Sequence, residues 1–196
     1  MPEDAGLAKR ALRAQLRERR RIATATEREM AAAGLTARLE TLITDHRARS
    51  IAAYLSTPFE PPTRAFLRWA HGAGVRILLP ISRADGLLDW APYDGAEEDE
   101  DLLGMPTPTS EILGPIAIND VDLILVPAAA VDRTGMRMGW GQGYFDKTLG
   151  SMQACPPVYA VVFDHEVVDT LPSERHDERV DGAVTPSGII EFAGRP

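Results

Sequence analysis

The densest chemistry in this 196-residue chain lies between Asp132 and Lys147. Its centre, Arg137-Met138-Gly139-Trp140-Gly141-Gln142-Gly143-Tyr144-Phe145-Asp146, alternates three glycines, with an arginine ahead and an aromatic pair and an aspartate behind. Glycine admits a left-handed backbone and carries no side chain, so ligand phosphates can approach bare N–H groups. A helix starting near Gly143 adds free N–H groups and a positive dipole end, which favour an anion. Arg137 offers a planar fork for phosphate oxygens, and Asp146 an oxygen ligand for a metal that travels with them. A glycine-rich surface turn is the plainer alternative. The flanking charges and aromatics favour the phosphate cradle.

Two common phosphate fingerprints do not fit. No G-x-x-x-x-G-K-[ST] run is present. The dinucleotide pattern G-x-G-x-x-G places its third glycine one residue beyond Gly143 and follows a strand directly. Here roughly a dozen residues separate the apolar run Val121–Val126 from Gly139. Asp164 stands about twenty residues past Gly143, where a ribose-binding acid of that fold belongs. A dinucleotide-dependent oxidoreductase therefore stays open as a rival reading.

The elements that must position this stretch alternate between helix and strand. Residues 5 to 20 read as a helix with Leu7, Ala8, Ala11, Leu12 and Leu16 on one face. Lys9 and Arg13, spaced i, i+4, project together from it, and most of its other arginines read as a solvated face. Thr24 or Thr26 offers the N-cap of a second helix reaching about Ile43, and Thr26 with Glu29 makes a capping box. Ser50 to Leu55 reads as a buried strand, followed by a loop stiffened by Pro58, Pro61 and Pro62. A helix from Thr63 to about His71 and a strand from Val75 to Pro80 complete a right-handed parallel crossover. Leu87 to Tyr93 reads as a strand pairing antiparallel with a neighbour. Glu97 to Asp101 reads as a solvated acidic loop, and Met105 to Pro115 as an irregular crossing. Val121 to Val126 is the central strand, followed by the glycine loop and a helix to about Leu149. Strands at Val158–Phe163 and Ala183–Thr185 close the chain.

The run from Arg137 to Asp146, behind Leu125-Val126-Pro127, resembles the signature of the 5-formyltetrahydrofolate cyclo-ligases (5,10-methenyltetrahydrofolate synthetases). Lys9, Leu12 and Arg13 are similar to that family's K-x-x-L-R pattern in its first helix. Glu60 resembles the glutamate ahead of its crossover helix. Pro106-Thr107-Pro108 is similar to a proline-containing stretch, with little specificity. His176-Asp177-Glu178-Arg179-Val180-Asp181 resembles an H-D-x-x-V-D near the C-terminus. The resemblance implies ATP and Mg²⁺, with Lys9 and Arg137 catalytic. It implies nucleotide contacts from Lys9, Arg13, Arg137, Met138, Gly139, Trp140, Gly141, Gln142, Gly143, Tyr144 and Phe145. Folate contacts follow from Arg13, Leu55, Glu60, Trp140, Gly141, Gln142, Gly143 and Tyr144, and metal ligands from Asp146 and Asp181. Glu60 is expected to bind the pterin, and Trp140 and Tyr144 to wall the folate rings. Gln142 replaces a residue that is basic in some members, which leaves one phosphate or glutamate-tail contact open.

Length and composition bound these readings. One well-cored α/β domain over residues 1–196 is expected, with a mostly parallel sheet covered by helices on both faces, three layers in all. Ligands in such sheets bind beyond the carboxyl ends of strands, and the Glu60, glycine and Asp181 loops are all expected there, with the first helix packed across that rim. A net charge of −8 disfavours nucleic acid as a partner. It does not disfavour a nucleotide, because screening over roughly 8 Å makes the local clustering of cations decisive. Those cations cluster at Lys9–Arg21 and Arg133–Lys147. No apolar run approaches the roughly 20 residues of a membrane span. The N-terminus has no apolar leader, and the lone Cys155 excludes an internal disulfide, so a cytoplasmic protein is expected. The four histidines are scattered, which disfavours a histidine-bound metal. The expected partner is 5-formyltetrahydrofolate, with or without a polyglutamate tail. A non-enzymatic folate or nucleotide binder on the same fold is the second rival.

Overall fold

The computed structural model describes residues 2–95, 98–174 and 177–193, with side chains from residue 6 onward. Glu97 of the acidic run and His176 of the C-terminal motif lie outside the described residues. Two long helices open the chain, α1 (Pro2–Ile22) and α2 (Ala25–Asp45). Strand β1 (Ser50–Ala52), helix α3 (Arg64–Gly72) and strand β2 (Arg76–Ser82) form the parallel crossover, and β3 (Leu88–Pro92) returns antiparallel to β2. A small hairpin of β4 (Glu98–Glu100) and β5 (Pro106–Pro108) precedes the central strand β6 (Leu123–Pro127). A second small sheet then forms from β7 (Ala130–Asp132), β8 (Arg137–Met138) and, later, β10 (Val167–Val168). Between them come α4 (Tyr144–Ser151) and β9 (Val158–Val161), and the chain ends with β11 (Gly182–Val184) and β12 (Ile189–Glu191).

The main sheet runs β12-β11-β9-β6-β1-β2-β3, five parallel strands with one antiparallel strand at each edge. Both β9 and the first four residues of β6 are buried, as strands covered on two faces require. One face packs against α2 and α3 through Leu35, Leu39, Phe66 and Leu67. The other packs Trp90, Ile118, Leu149 and Phe192 over Ala52, Ile124 and Val126. The three layers expected from the alternating pattern are present.

Several local expectations are corrected by side-chain chemistry. The capping box of α2 is Thr24 with Glu27, not Thr26 with Glu29: Glu27 N donates to Thr24 Oγ1 and Thr24 N to Glu27 Oε2. Strand β1 stops at Ala52 because the chain bends beyond it, where Thr63 Oγ1 donates to the Tyr54 carbonyl and Ser56 and Thr63 exchange bonds of 3.1 Å. The acidic run is partly strand. Asp101 accepts from Leu103 N and Met105 N, turning the chain so that Glu98–Glu100 pairs with the Pro106–Pro108 edge that had read as irregular. β12 was not expected at all.

Candidate active site

The strand order reverses between β1 and β6, since β2 lies on one side of β1 while β9 and β11 follow on the far side of β6. A crevice beyond the carboxyl ends of the strands at such a point is the natural ligand site of an open α/β sheet. Both chain segments leaving it carry expected site residues. The loop after β1 bears Leu55 and Glu60, and the segment after β6 bears Arg137 to Asp146.

Helix α1 crosses this rim as expected. Leu16 is buried with Ala129, Ala130, Met138 and Leu171. Arg20, 4% exposed, donates to both carboxylate oxygens of Glu166 and to the Ala128 carbonyl, at 2.6–2.8 Å. Its guanidinium lies over Trp140 at 4.8 Å and Phe163 at 5.5 Å from the ring centres. This ion pair locks the helix to the rim. Burial, the largest influence, pushes the Glu166 carboxyl up despite its bonds to Arg20.

The glycine loop is mounted on a hairpin. Asp132 ends β7, and its Oδ1 accepts from Thr134 N, Thr134 Oγ1 and Met136 N at 2.7–3.1 Å, while Oδ2 accepts from Leu171 N at 3.0 Å. Burial opposes its charge, but these bonds outweigh burial and hold its carboxyl below the usual range. The return strand β8 places Arg137 beneath the loop. Gly141 and Gly143 have φ of +105° and +73°, which only glycine adopts without strain. Arg13 fixes the loop from α1, donating from Nε to the Gly139 carbonyl at 2.8 Å.

Two clefts meet at this loop. The larger, about 560 Å³, runs past Leu55, Glu60, Trp140, Gln142 and Tyr144, with Leu103 and Met105 also on its walls. Tyr144 is braced across it by donating to the Arg83 carbonyl at 2.8 Å. The smaller, about 370 Å³, is polar and lies between α1 and the loop, with Lys9, Arg13, Asp146, Glu174 and Asp177 on its walls. Gly139, Gly143 and Asp146 line both. Glu60 faces the larger cleft with its Oε2 accepting from Thr57 N and Thr57 Oγ1 at 2.9 and 3.0 Å.

The charged groups of the smaller cleft are already paired in part. Lys9, 4% exposed, donates to Asp177 at 2.6 Å and Glu174 at 2.8 Å. Burial alone would lower its pKa, but the two carboxylates outweigh burial and raise it, so the ammonium stays charged. Two of its three N–H donors are thus committed. Arg137 is turned away from the role of an open phosphate fork. Its side chain is 2% exposed, and Nη2 donates to Asp146 Oδ1 at 2.5 Å while Nη1 donates to the Pro127 carbonyl at 3.3 Å.

Asp181 stands elsewhere. Its Oδ2 accepts from Val158 N and its N–H donates to the Val158 carbonyl, both at 2.8 Å, which puts it at the amino end of β9, opposite the rim. The acid of this motif that reaches the cleft is Asp177, four residues earlier. The resemblance pointed to Asp181, the last acid of a short motif that also holds Asp177 and Glu178; the Lys9 pairing and the cleft wall point to Asp177 instead. Glu174 and Glu166 were also missed, since single acids outside a motif give no signal, and Asp132 was named only as the start of the glycine-rich stretch. Asp164 accepts from Ser187 N at 3.2 Å and lines neither cleft, and the glycine loop follows the two-residue strand β8 of a hairpin, not a strand of the main sheet. The dinucleotide reading has no support in this geometry.

Fold and clefts together define an α/β domain that holds a glycine-rich loop at its switch point between a polar and a larger, mostly apolar cleft. The family model described as the 5-formyltetrahydrofolate cyclo-ligase family matches residues 5–186, and the chain belongs to that family. A 5-formyltetrahydrofolate cyclo-ligase of Mycolicibacterium smegmatis is 37% identical over 148 residues, 72% of this chain and 76% of that one. One of Escherichia coli K12 is 28% identical over 183 residues, 90% of this chain and 100% of that one. The NMR structure of Aquifex aeolicus 5,10-methenyltetrahydrofolate synthetase superposes with a TM-score of 0.79 over 96% of this chain and 95% of that one, at 24% identity, which supports the fold. No helix among the described residues is long and apolar enough to cross a membrane.

Proposed function

We propose that this chain converts 5-formyltetrahydrofolate and ATP into 5,10-methenyltetrahydrofolate, ADP and phosphate, with ATP in the smaller cleft and the folate in the larger. The observation that carries the assignment of clefts is their shared wall at Gly139, Gly143 and Asp146. A terminal phosphate on one side can there meet a formyl oxygen on the other.

A formamide oxygen is a poor leaving group and its carbon a poor electrophile. The formyl oxygen attacks the terminal phosphorus of ATP and ADP departs, which leaves an iminium-like carbon bearing a phosphate. The 10-nitrogen adds to that carbon and loses its proton. The carbon–oxygen bond then breaks and phosphate leaves with the bonding pair. Such a transfer needs positioning and neutralisation of charge more than a covalent nucleophile. Lys9 offers its remaining N–H to a phosphate oxygen, Arg13 anchors the loop, and the N–H groups around Gly141 and Gly143 cradle the phosphates. Arg137 acts through Asp146 as a positioning residue. Glu60 leaves Thr57 to accept from the pterin's amino and ring N–H groups.

Mg²⁺ fits the donors present. It is commonly held by one or two carboxylates plus substrate phosphates, without a closed cage. Asp146 and Asp177 are hard oxygen donors on one cleft, and among the described residues no larger His, Cys, Asp and Glu cluster forms a cage. We assign the metal to these two and not to Asp181. When bound, the ion would neutralise phosphate charge.

The test is the absorbance of the methenyl product in the presence and absence of ATP and Mg²⁺. Product that requires both supports the reading. Binding of both ligands without product would identify a non-catalytic binder.

A further inference from the structure

Four buried polar atoms along the larger cleft have no hydrogen-bond partner among the described residues: Tyr54 Oη, Arg20 Nη1, Trp140 Nε1 and, beneath the glycine loop, Arg137 Nε. Orphaned groups of this kind are rare, because each forfeits its bonds to water without replacing them. The first three gather around Arg20. Arg20 lies against Trp140, and Tyr54 senses both Arg20 and Glu60 while burial, the largest effect, holds its phenol protonated well past the ordinary range. Arg20 is otherwise occupied by Glu166 and Ala128. Tyr54, 4% exposed, is held at the root of the Glu60 loop, where Thr63 Oγ1 donates to its carbonyl at 2.7 Å. A rigid neutral donor thus sits at the foot of the loop that carries an acceptor.

We propose that Tyr54 is a specificity residue that donates its hydroxyl proton to the ring carbonyl of the pterin, beside Glu60. The proposal rests on the folate reading of the larger cleft. A pterin edge presents an amino group, a ring N–H and a carbonyl oxygen in a row. Glu60 can accept from the first two, but the third is an acceptor and needs a donor next to the carboxylate. Tyr54 supplies it. Glu60 now closes its loop by holding Thr57. Exchanging those bonds for the pterin's frees the carboxylate for the amino and ring N–H groups while Tyr54 donates to the carbonyl beside them.

The experiment is a protein–ligand cycle read by calorimetry. Parent and Tyr54→Phe are titrated with 5-formyltetrahydrofolate and with its 4-thioxo analogue, which keeps the ring N–H but offers sulfur, a weak acceptor. The parent should prefer the oxo ligand, and Tyr54→Phe should lose about tenfold in affinity for it, the value of one neutral hydrogen bond, and with it the preference. ATP affinity should stay unchanged, which certifies the fold. A preference retained in Tyr54→Phe overturns the proposal. Replacing Tyr54 by 3-fluorotyrosine, a stronger donor of nearly the same shape, should tighten the oxo ligand, and no tightening also counts against it. Glu60→Gln, run beside them, separates the two levels of the argument. Weakened folate binding in Glu60→Gln alone overturns the Tyr54 role and leaves the site standing, whereas unchanged affinity in both variants removes the pterin from this end of the cleft.

Discussion

Asp146 is the residue on which the geometry concentrates, because it touches both clefts and holds Arg137. Replacing it by Asn keeps an oxygen for Arg137 Nη2 at nearly the same place but removes the charge. The Arg137–Asp146 contact is a charge-assisted bond between side chains 2% and 16% exposed, and weakening such a bond costs roughly 1.5–3 kcal/mol at most. A domain of this size has about 5–15 kcal/mol in hand, so Asp146→Asn stays folded. Turnover should fall far more than folding does. Losing one electrostatic stabiliser of a transition state costs on the order of 10²-fold or more, and the Mg²⁺ concentration for half-maximal rate should rise. Asp146→Ala is a poorer probe, since an uncompensated buried Arg137 costs about 3–5 kcal/mol by itself. The assay is product absorbance against Mg²⁺ concentration, with thermal unfolding measured in parallel. Full activity of Asp146→Asn with an unchanged Mg²⁺ dependence would refute the metal assignment.

Other residues give sharper separations. Lys9→Ala should raise the KM for ATP and lower kcat while leaving folate affinity largely intact; kinetics equal to the parent's would remove Lys9 from the site. Asp177→Asn should shift the Mg²⁺ dependence as Asp146→Asn does, whereas Asp181→Asn should alter only stability, and the reverse pattern would restore Asp181 as the ligand. Glu60→Gln places a donor against a donor and should cost about 10- to 100-fold in folate affinity, equivalent to roughly 1.5–3 kcal/mol, with ATP binding hardly changed in the same titration. Asp132→Ala should destabilise the protein by a similar 1.5–3 kcal/mol by loosening the hairpin under Arg137. Because the folded-state pKa of Asp132 is depressed, its contribution is present above the ordinary value of about 3.9 and is lost as pH falls through the folded value. Unfolding curves of parent and variant should therefore converge in acid, and a constant gap would contradict the assignment.

Most of the architecture was legible from period and punctuation. Continuous apolar runs such as Leu123–Val126 and Val158–Val161, short and flanked by prolines, read as buried strands, and the segments between them fix the crossovers. What escaped depends on single side chains. Thr24 and Thr26 are equally good caps on paper, and Glu27 decides between them by reaching back to the Thr24 N–H. Prolines at 106 and 108 read as a break, yet an edge strand tolerates them once Asp101 has turned the chain. In the site, the glycine loop announced itself because its backbone demands glycine; helical spacing placed Lys9 and Arg13 on one face, and the family resemblance gave them a role. The partners of those residues did not announce themselves, since Glu174 and Asp177 reach Lys9 across more than 160 residues of sequence, a separation that no local pattern records. Arg137 illustrates the converse: its type was informative, but its side chain is buried and paired with Asp146, which no local pattern shows.

The central claim is that the formyl oxygen crosses the shared wall of the two clefts to take a phosphoryl group from ATP. It can be followed atom by atom with 5-formyltetrahydrofolate carrying oxygen-18 in its formyl group. Mass analysis of the phosphate released during turnover should then find the label in it, one labelled oxygen for each methenyl product formed. Unlabelled phosphate, with the heavy oxygen appearing in water instead, would contradict the account.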